Sequence, residues 1–168
     1  MRNFITVLLI AALAPSATIA QEITIRDKFV TFIEETYKTS HASQIVEHVF
    51  EVSERKNLDP MRVFSIIAVE SRFNPNARNP SGATGLMQVM VPMHCKRFPD
   101  HSKCKALAFD PEHNIEVGTD ILVEFKGNLK RYSGNTPGYE QLILKQQTKF
   151  QQLYKEAKTW NMQQSSIE

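Results

Sequence analysis

The chain has 168 residues, of which 42% are hydrophobic and 23% charged, and it carries 20 Lys and Arg against 18 Asp and Glu, for a formal net charge of +2. This near balance argues against a nucleic-acid surface and gives no reason to expect adhesion to a membrane. The length is sufficient for one ordinary hydrophobic core, so we expect a single domain.

The first twenty residues have the layout of a secretory signal peptide. Arg2 precedes an apolar run over residues 4–13, and small residues lead to Ala20. The run is too short to span a membrane, and Thr-Ile-Ala at its end approximates an A-x-A cleavage site. We therefore predict a signal peptide over residues 1–20, and a periplasmic or secreted protein without stable membrane insertion.

Two amphipathic helices are predicted next, the first in an N-terminal extension over residues 21–41 and the second from residue 42. In each segment apolar residues recur three or four positions apart, which is the spacing of one helix face. The two sets are Ile25, Phe29, Phe32 and Ile33, and then Ala42, Ile45, Val46, Val49 and Phe50.

A third helix is predicted to begin at Pro60. Asp59 is a favoured N-cap residue, and proline is favoured at the first helical position. The helix should end near Ser71, because Asn74 and Asn79 both precede prolines and such residues avoid helical geometry.

Glu70 lies on the apolar side of this third helix, on the face shared by Val63, Ile66 and Ile67. A carboxylate would normally avoid such a stripe, because burying an unpaired charge is so costly that the group takes up a proton instead. A carboxyl group that stays protonated near neutral pH can serve as a general acid. Glu70 is therefore the first catalytic candidate.

Turn residues and prolines interrupt the chain after this helix. Residues 73–84 predict a loop, and residues 85–91 predict a short helix. Asp110 followed by proline repeats the helix-start signal. The helix that it opens carries a polar Asn and a Gly on one face, which predicts close packing; that face comprises Asn114, Gly118, Ile121 and Phe125.

A second turn-rich stretch, residues 131–138, precedes a long last helix, and residues 159–168 form a polar tail. The helix has an apolar inner stripe of Tyr139, Leu142, Ile143, Phe150, Leu153, Tyr154 and Ala157. No alternating strand pattern of useful length is present, so the sequence predicts a mainly α fold.

Cys95 and Cys104 are the two cysteines of the chain. Two neighbouring cysteines in an oxidising compartment most often pair, so we predict a disulfide. The alternative is a metal site that adds His94 and His101, but this spacing matches no common zinc pattern and exported thiols tend to oxidise. We expect no metal and no cofactor.

Four segments taken together identify a family. They are Ala68-Val-Glu70-Ser71-Arg-Phe-Asn-Pro-Asn-Ala77, Ser81-Gly-Ala-Thr-Gly-Leu-Met-Gln-Val-Met90, Asp110-Pro-Glu-His-Asn-Ile-Glu-Val-Gly118 and Arg131-Tyr-Ser-Gly134. In order and spacing they closely resemble the soluble lytic transglycosylase (SLT) family, relatives of goose-type lysozyme that cleave the glycan strands of bacterial peptidoglycan. The resemblance implies a lysozyme-like catalytic domain, which we place over residues 42–158.

By this resemblance Glu70 is the catalytic acid of a non-hydrolytic cleavage between muramic acid and glucosamine residues. It would protonate the glycosidic oxygen and then, as a base, accept the proton of the sugar's own 6-hydroxyl, which leaves a 1,6-anhydro end. A paired-carboxylate hydrolase would need a second acid. The candidates are better explained otherwise, with Asp110 as a helix cap, Asp120 as a solvated helix position and Asp100 as a loop residue near the cysteines. A goose-type muramidase and a catalytically idle glycan-binding assembly protein remain the alternatives.

The resemblance also implies residues along the substrate cleft. Ser71 and Gln88 match cleft positions, with a local helix-end hydrogen bond and a buried structural amide as their respective alternatives. Met87 would floor the cleft or pack in the core, and Asn114 would bind substrate or tie loops to the cleft wall. Tyr132 matches the Tyr of a Tyr-Asn-Ala-Gly motif and would orient Glu70, although here the sequence continues Ser-Gly-Asn.

Beyond one domain, we expect little room for a separate targeting module. Small exported enzymes of this type resemble the local wall cutters of secretion, conjugation or phage systems. We therefore expect peptidoglycan strands as the substrate and such an envelope-penetrating complex as the partner.

Overall fold

The computed structural model describes residues 17–164, without the side chains of residues 17–24, 161 and 164. The predicted signal peptide, residues 1–20, lies largely outside the described residues and stays a prediction. Along the described chain no helix combines the length and the apolar character needed to cross a membrane.

The described fold is mainly α, as the sequence predicts. The helices are α1 (Ala17–Tyr37), α2 (Ala42–Lys56), α3 (Pro60–Glu70), α4 (Val91–His94), α5 (Cys104–Leu107), α6 (Pro111–Glu124), α7 (Leu129–Tyr132) and α8 (Tyr139–Gln164). Two short strands, β1 (Ala83–Thr84) and β2 (Val89–Met90), and two 3₁₀ turns, Cys95–Arg97 and His101–Lys103, complete the set.

The core surrounds α3, which packs against α8 and α2, while α1 packs against α8 and α2 in turn. Phenylalanine rings from four helices meet there, and the ring centroids of Phe64 and Phe150 are 5.5 Å apart. Phe29 of α1 lies 5.0 Å from Phe64 and is fully buried, so the N-terminal extension contributes to the same core.

Local chemistry fixes both ends of α3. The Asp59 side chain accepts a hydrogen bond from the Met61 backbone N–H at 2.9 Å, and proline occupies the first turn. Its second oxygen accepts from Gln147 Nε2 of α8 at 2.6 Å, which ties the start of α3 to the long helix. Just after Glu70, the left-handed backbone of Arg72 (φ 54°) turns the chain away. The acid is thus the last residue of a helix that is held at both ends.

The predicted inner stripe of α8 is correct at Tyr139, Ile143, Phe150 and Ala157, which are buried. It is wrong at Leu142, whose exposed fraction is 54%. The polar Gln147 takes the inward position instead, with 7% exposure, because its amide is hydrogen-bonded to the cap of α3.

The helix predicted over residues 85–91 is wrong. Residues 85–88 form the turn between β1 and β2, and residues 89 and 90 form β2 itself. The two strands pair antiparallel with Ala83 opposite Met90 and Thr84 opposite Val89. Gly85 (φ 78°) and Gln88 (φ 48°) both have left-handed backbones, which a right-handed helix cannot contain. The helix begins only at Val91.

Asn114 of α6 holds this turn in place from inside the protein. Its Oδ1 accepts from the Met87 N–H at 2.8 Å, and its Nδ2 donates to the carbonyls of Thr84 at 2.9 Å and Ala108 at 2.7 Å. Four residues on, Gly118 packs so closely that a Cβ there would lie 2.6 Å from Met87 Sδ. The close packing predicted for this face of α6 is confirmed.

Cys95 and Cys104 form a disulfide, with Cα atoms 5.3 Å apart, which excludes their thiolates from the alternative metal site. Cys104 lies in a second apolar cluster beneath β2 and α6, together with Val89, Val91, Phe98, Ala108, Val117 and Ile121. The disulfide therefore links two parts of the segment that follows β2, and this segment packs on the second apolar cluster.

Reducing the disulfide is expected to lower the free energy of unfolding by about 2 to 3 kcal/mol, because the closed loop restricts the unfolded chain. Urea unfolding with and without a reductant measures the change. The double variant Cys95→Ser, Cys104→Ser should have the urea midpoint of the reduced protein, and adding a reductant should not change that midpoint. Equal midpoints for the oxidised and reduced protein would contradict the expectation.

Candidate active site

A cleft of about 560 Å³ opens beside the end of α3. Its walls come from the β1–β2 turn, the segment around α4, the end of α6, α7 and the start of α8. The residues that matter below are Glu70, Gln88, Phe125, Arg131, Tyr132 and Tyr139. A cavity of this size holds a ligand of several rings or sugar units.

Glu70 lines this cleft as a partly buried carboxyl group. Burial raises the pKa of Glu70 above its ordinary value, because desolvation disfavours the charged form. The Tyr139 hydroxyl donates a hydrogen bond to Glu70 Oε1 at 2.5 Å, which acts in the opposite direction and lowers the pKa. The desolvation effect is the larger, so the group is biased towards its protonated form.

Two tyrosines lie close to the acid and differ in what they bind. Tyr139 donates to Glu70, whereas Tyr132 donates to the Met87 carbonyl at 3.0 Å. Burial, together with the charge of Glu70, raises the pKa of both hydroxyls, so both remain neutral donors. The contact to Glu70 expected of Tyr132 is thus made by Tyr139, and Tyr132 instead fixes the β1–β2 turn.

Gln88 lines the cleft from the turn. Its Nε2 donates to the carbonyls of Ala77 at 3.2 Å and Gly85 at 2.9 Å, which makes it a structural amide as well as a cleft residue. These bonds orient the amide so that Oε1 is the atom left for a ligand, since no described donor binds it.

Three other residues predicted for the cleft do not line it. The Ser71 hydroxyl donates to the Ile67 carbonyl at 3.1 Å, which is the local alternative. Met87 and Asn114 are fully buried. The Met87 N–H donates to Asn114 Oδ1, and this hydrogen bond holds the turn that carries Gln88. Met87 and Asn114 therefore position a cleft residue without lining the cleft themselves.

The aspartates considered as a second acid are occupied elsewhere. Asp110 caps α6 by accepting from the His113 N–H at 3.0 Å, and Asp100 caps a 3₁₀ turn in the same way. Asp120 pairs with Lys56 at 2.6 Å. Among the described residues that line the cleft, Glu70 is the single carboxyl group.

Several polar residues of the cleft were not predicted from the sequence, among them Tyr139, Arg131 and His94. Tyr139 was assigned to the core stripe of α8, and the signal that could have found it is its position directly after a turn rich in Gly and Pro. Arg131 immediately precedes the Tyr132 motif. Burial lowers the pKa of His94, and the positive charge of Arg97 lowers it further, so the ring is neutral near pH 7.

The fold and this cleft define a mainly α domain with one partly buried acid beside a cleft of about 560 Å³. The family model of the transglycosylase SLT domain matches residues 47–161, which is more than half of the chain. The chain therefore belongs to the SLT family.

Curated relatives share parts of this region. The chain is 38% identical over 86 residues to a membrane-bound lytic murein transglycosylase C from Edwardsiella ictaluri, covering 48% of this chain and 24% of that protein. It is 37% identical over 95 residues to a transglycosylase of Enterobacteria phage PRD1, covering 55% of this chain and 32% of that protein. The chain thus spans about a quarter to a third of these relatives. No solved structure matches it significantly.

Proposed function

We propose that this protein is a lytic transglycosylase that cleaves the glycan strands of bacterial peptidoglycan between muramic acid and glucosamine residues. The observation that carries the proposal is a single carboxyl group, Glu70, with a raised pKa on the wall of a cleft of about 560 Å³. Membership of the SLT family and relatives named lytic murein transglycosylase support the same substrate class.

In the first step, protonated Glu70 donates its proton to the glycosidic oxygen as the bond to the muramic acid C1 breaks. Tyr139 already donates to Oε1, so Oε2 is the atom that carries and transfers this proton. The hydroxyl of Tyr139 then stabilises the new carboxylate, and its raised pKa keeps it from losing its own proton.

In the second step, the 6-hydroxyl of the muramic acid attacks C1, and its proton passes to the Glu70 carboxylate. The ring closes as a 1,6-anhydro end and the acid is restored, so the reaction consumes no water and needs no cofactor. The lack of a second carboxyl group on the described cleft walls favours this route over one that needs a base for water.

Digestion of purified sacculi tests the proposal. Mass spectrometry should find products with anhydro-muramic ends, each lighter by one water than the corresponding reducing end. Reducing ends would assign the protein to hydrolysis, as in a goose-type muramidase. Intact sacculi would indicate a glycan-binding assembly protein.

The biological setting we propose is extracytoplasmic, as a local wall cutter of an envelope-penetrating complex. The phage transglycosylase among the relatives supports this setting. Deletion of the gene should reduce secretion, conjugation or infection without altering wall growth, and an unchanged transfer phenotype would contradict the proposed partner.

Tyr139→Phe is expected to shift the alkaline limb of the pH profile of kcat/KM to higher pH. The hydroxyl lowers the pKa of Glu70, so its removal raises that pKa and keeps the acid protonated further into the alkaline range. We also expect kcat to fall about tenfold, because the carboxyl group loses its orienting hydrogen bond. Tyr154→Phe is the matched control, because Tyr154 lies on the same helix and does not line the cleft. An alkaline limb at the wild-type pH in Tyr139→Phe would contradict the assignment.

A further inference from the structure

The cleft contains one permanent positive charge among its described lining residues, Arg131. The neighbouring α7 residue Lys130 does not line the cleft, and His94, which does, is held neutral by its environment. An anionic part of a ligand in this cleft therefore has one cationic partner available.

Backbone and ring contacts place Arg131 beside the cleft. Its backbone N–H donates to the Asn128 side chain at 2.9 Å, which caps α7, and the next residue, Tyr132, is anchored to the β1–β2 turn. The guanidinium carbon lies 4.4 Å from the ring centroid of Phe125, which also lines the cleft. Arg131 is an exposed residue, and its guanidinium lies over a ring that lines the same cleft.

The stacked arrangement leaves the hydrogen-bonding capacity of Arg131 unused. Stacking employs the flat face of a guanidinium, whereas its five N–H donors lie along the edge. No described acidic side chain pairs with Arg131, and no described oxygen accepts from its guanidinium. The edge presents the fork geometry that binds a carboxylate with two parallel hydrogen bonds.

The substrate class of the proposed function is the peptidoglycan strand, and its carboxylates occur on one of its two kinds of sugar. Glucosamine residues are neutral, and every carboxylate of the strand belongs to the lactyl arm of muramic acid or to the peptide attached to that arm. The strand alternates neutral and acid-bearing sugars, so a fixed cation distinguishes two registers of the same polymer.

We propose that Arg131, stacked on Phe125, binds a carboxylate borne by the lactyl arm of muramic acid and so sets the register of the strand against Glu70. The inference rests on the proposed function and deepens it. In the selected register the muramic acid bond lies at the acid, and a strand displaced by one sugar lacks the carboxylate at Arg131.

Binding without turnover tests the proposal, using Arg131→Gln in the Glu70→Gln background. Three probes of equal length are compared: peptide-bearing glycan fragments, the same fragments stripped of peptides by an amidase, and chitin oligosaccharides that have no lactyl arm. We expect Kd to rise about tenfold for an acid-bearing probe and to stay unchanged for chitin. Loss on peptide-bearing fragments alone assigns the carboxylate to the peptide, and loss on stripped fragments assigns it to the lactyl group.

Lys130→Gln is the matched control, because it removes the same charge from the same short helix outside the cleft lining, and it should change no Kd. In the active enzyme, Arg131→Gln should lower kcat/KM about tenfold, because the register that places the muramic acid bond at Glu70 loses its carboxylate contact. Unchanged Kd on both acid-bearing probes, or an equal loss on chitin, would overturn the proposal. Failure of the proposed function is separate, since it would show as absent cleavage by the wild-type enzyme.

Discussion

Glu70→Gln is expected to reduce glycan cleavage by about 10³-fold or more while the protein stays folded. The amide has the shape of the carboxyl group and can still accept from Tyr139, but it has no acidic proton to give to the glycosidic oxygen. Release of soluble fragments from sacculi measures the loss. Glu140→Gln is the matched control. It makes the same change at an exposed residue of α8, directly after Tyr139, and should retain full activity.

Thermal unfolding across pH shows whether the variant is folded and whether Glu70 is buried as described. Burial raises the pKa of Glu70, so the folded state holds this proton more tightly than the unfolded state. The resulting stability is present below the unfolded pKa and is lost as the pH rises through the folded pKa. Glu70→Gln should therefore match wild type in acid and exceed it at alkaline pH. A variant that is less stable at every pH would contradict this account.

Gly85→Ala is expected to lower the free energy of unfolding by about 4 kcal/mol or more, and cleavage should be lost with it. A Cβ at this position would lie 2.2 Å from both the Ala108 carbonyl oxygen and Asn114 Nδ2. The clash would displace Asn114 from its three backbone partners and distort the turn that carries Gln88. Denaturant unfolding measures the cost.

Gly138→Ala separates this clash from backbone strain. Gly138 has φ +77°, against +78° at Gly85, but a Cβ there meets nothing within 4 Å. Its alanine variant should cost only the left-handed strain of about 1 to 2 kcal/mol. Equal losses at the two positions would show that Asn114 does not hold the turn.

The long helices could be predicted because their signals are local. Asp59 and Asp110 each precede proline and accept a hydrogen bond from the first turn, as the sequence predicts. Glu70 could also be found locally, because a carboxyl group on an apolar helix face is visible in eleven residues. These features need no knowledge of distant contacts.

The turn and the second half of the site could not be predicted in this way. The left-handed residues at Gly85 and Gln88 are stabilised by Asn114, which is 27 residues from Met87. Tyr139 contacts Glu70 across 69 residues, and only the packing of α8 on α3 brings the two together. On the sequence alone, a Tyr on the apolar stripe of a long helix indicates core packing.

The place of Glu70 as the last residue of α3 has an electrostatic consequence of its own. The backbone dipoles of a helix align, and its C-terminal end carries about half a negative charge. This partial charge repels a carboxylate, and the last turn of α3 contains no basic residue that would offset it. The peptide backbone therefore acts in the same direction as burial, and moving the acid to the opposite end of the helix would favour the ionised form.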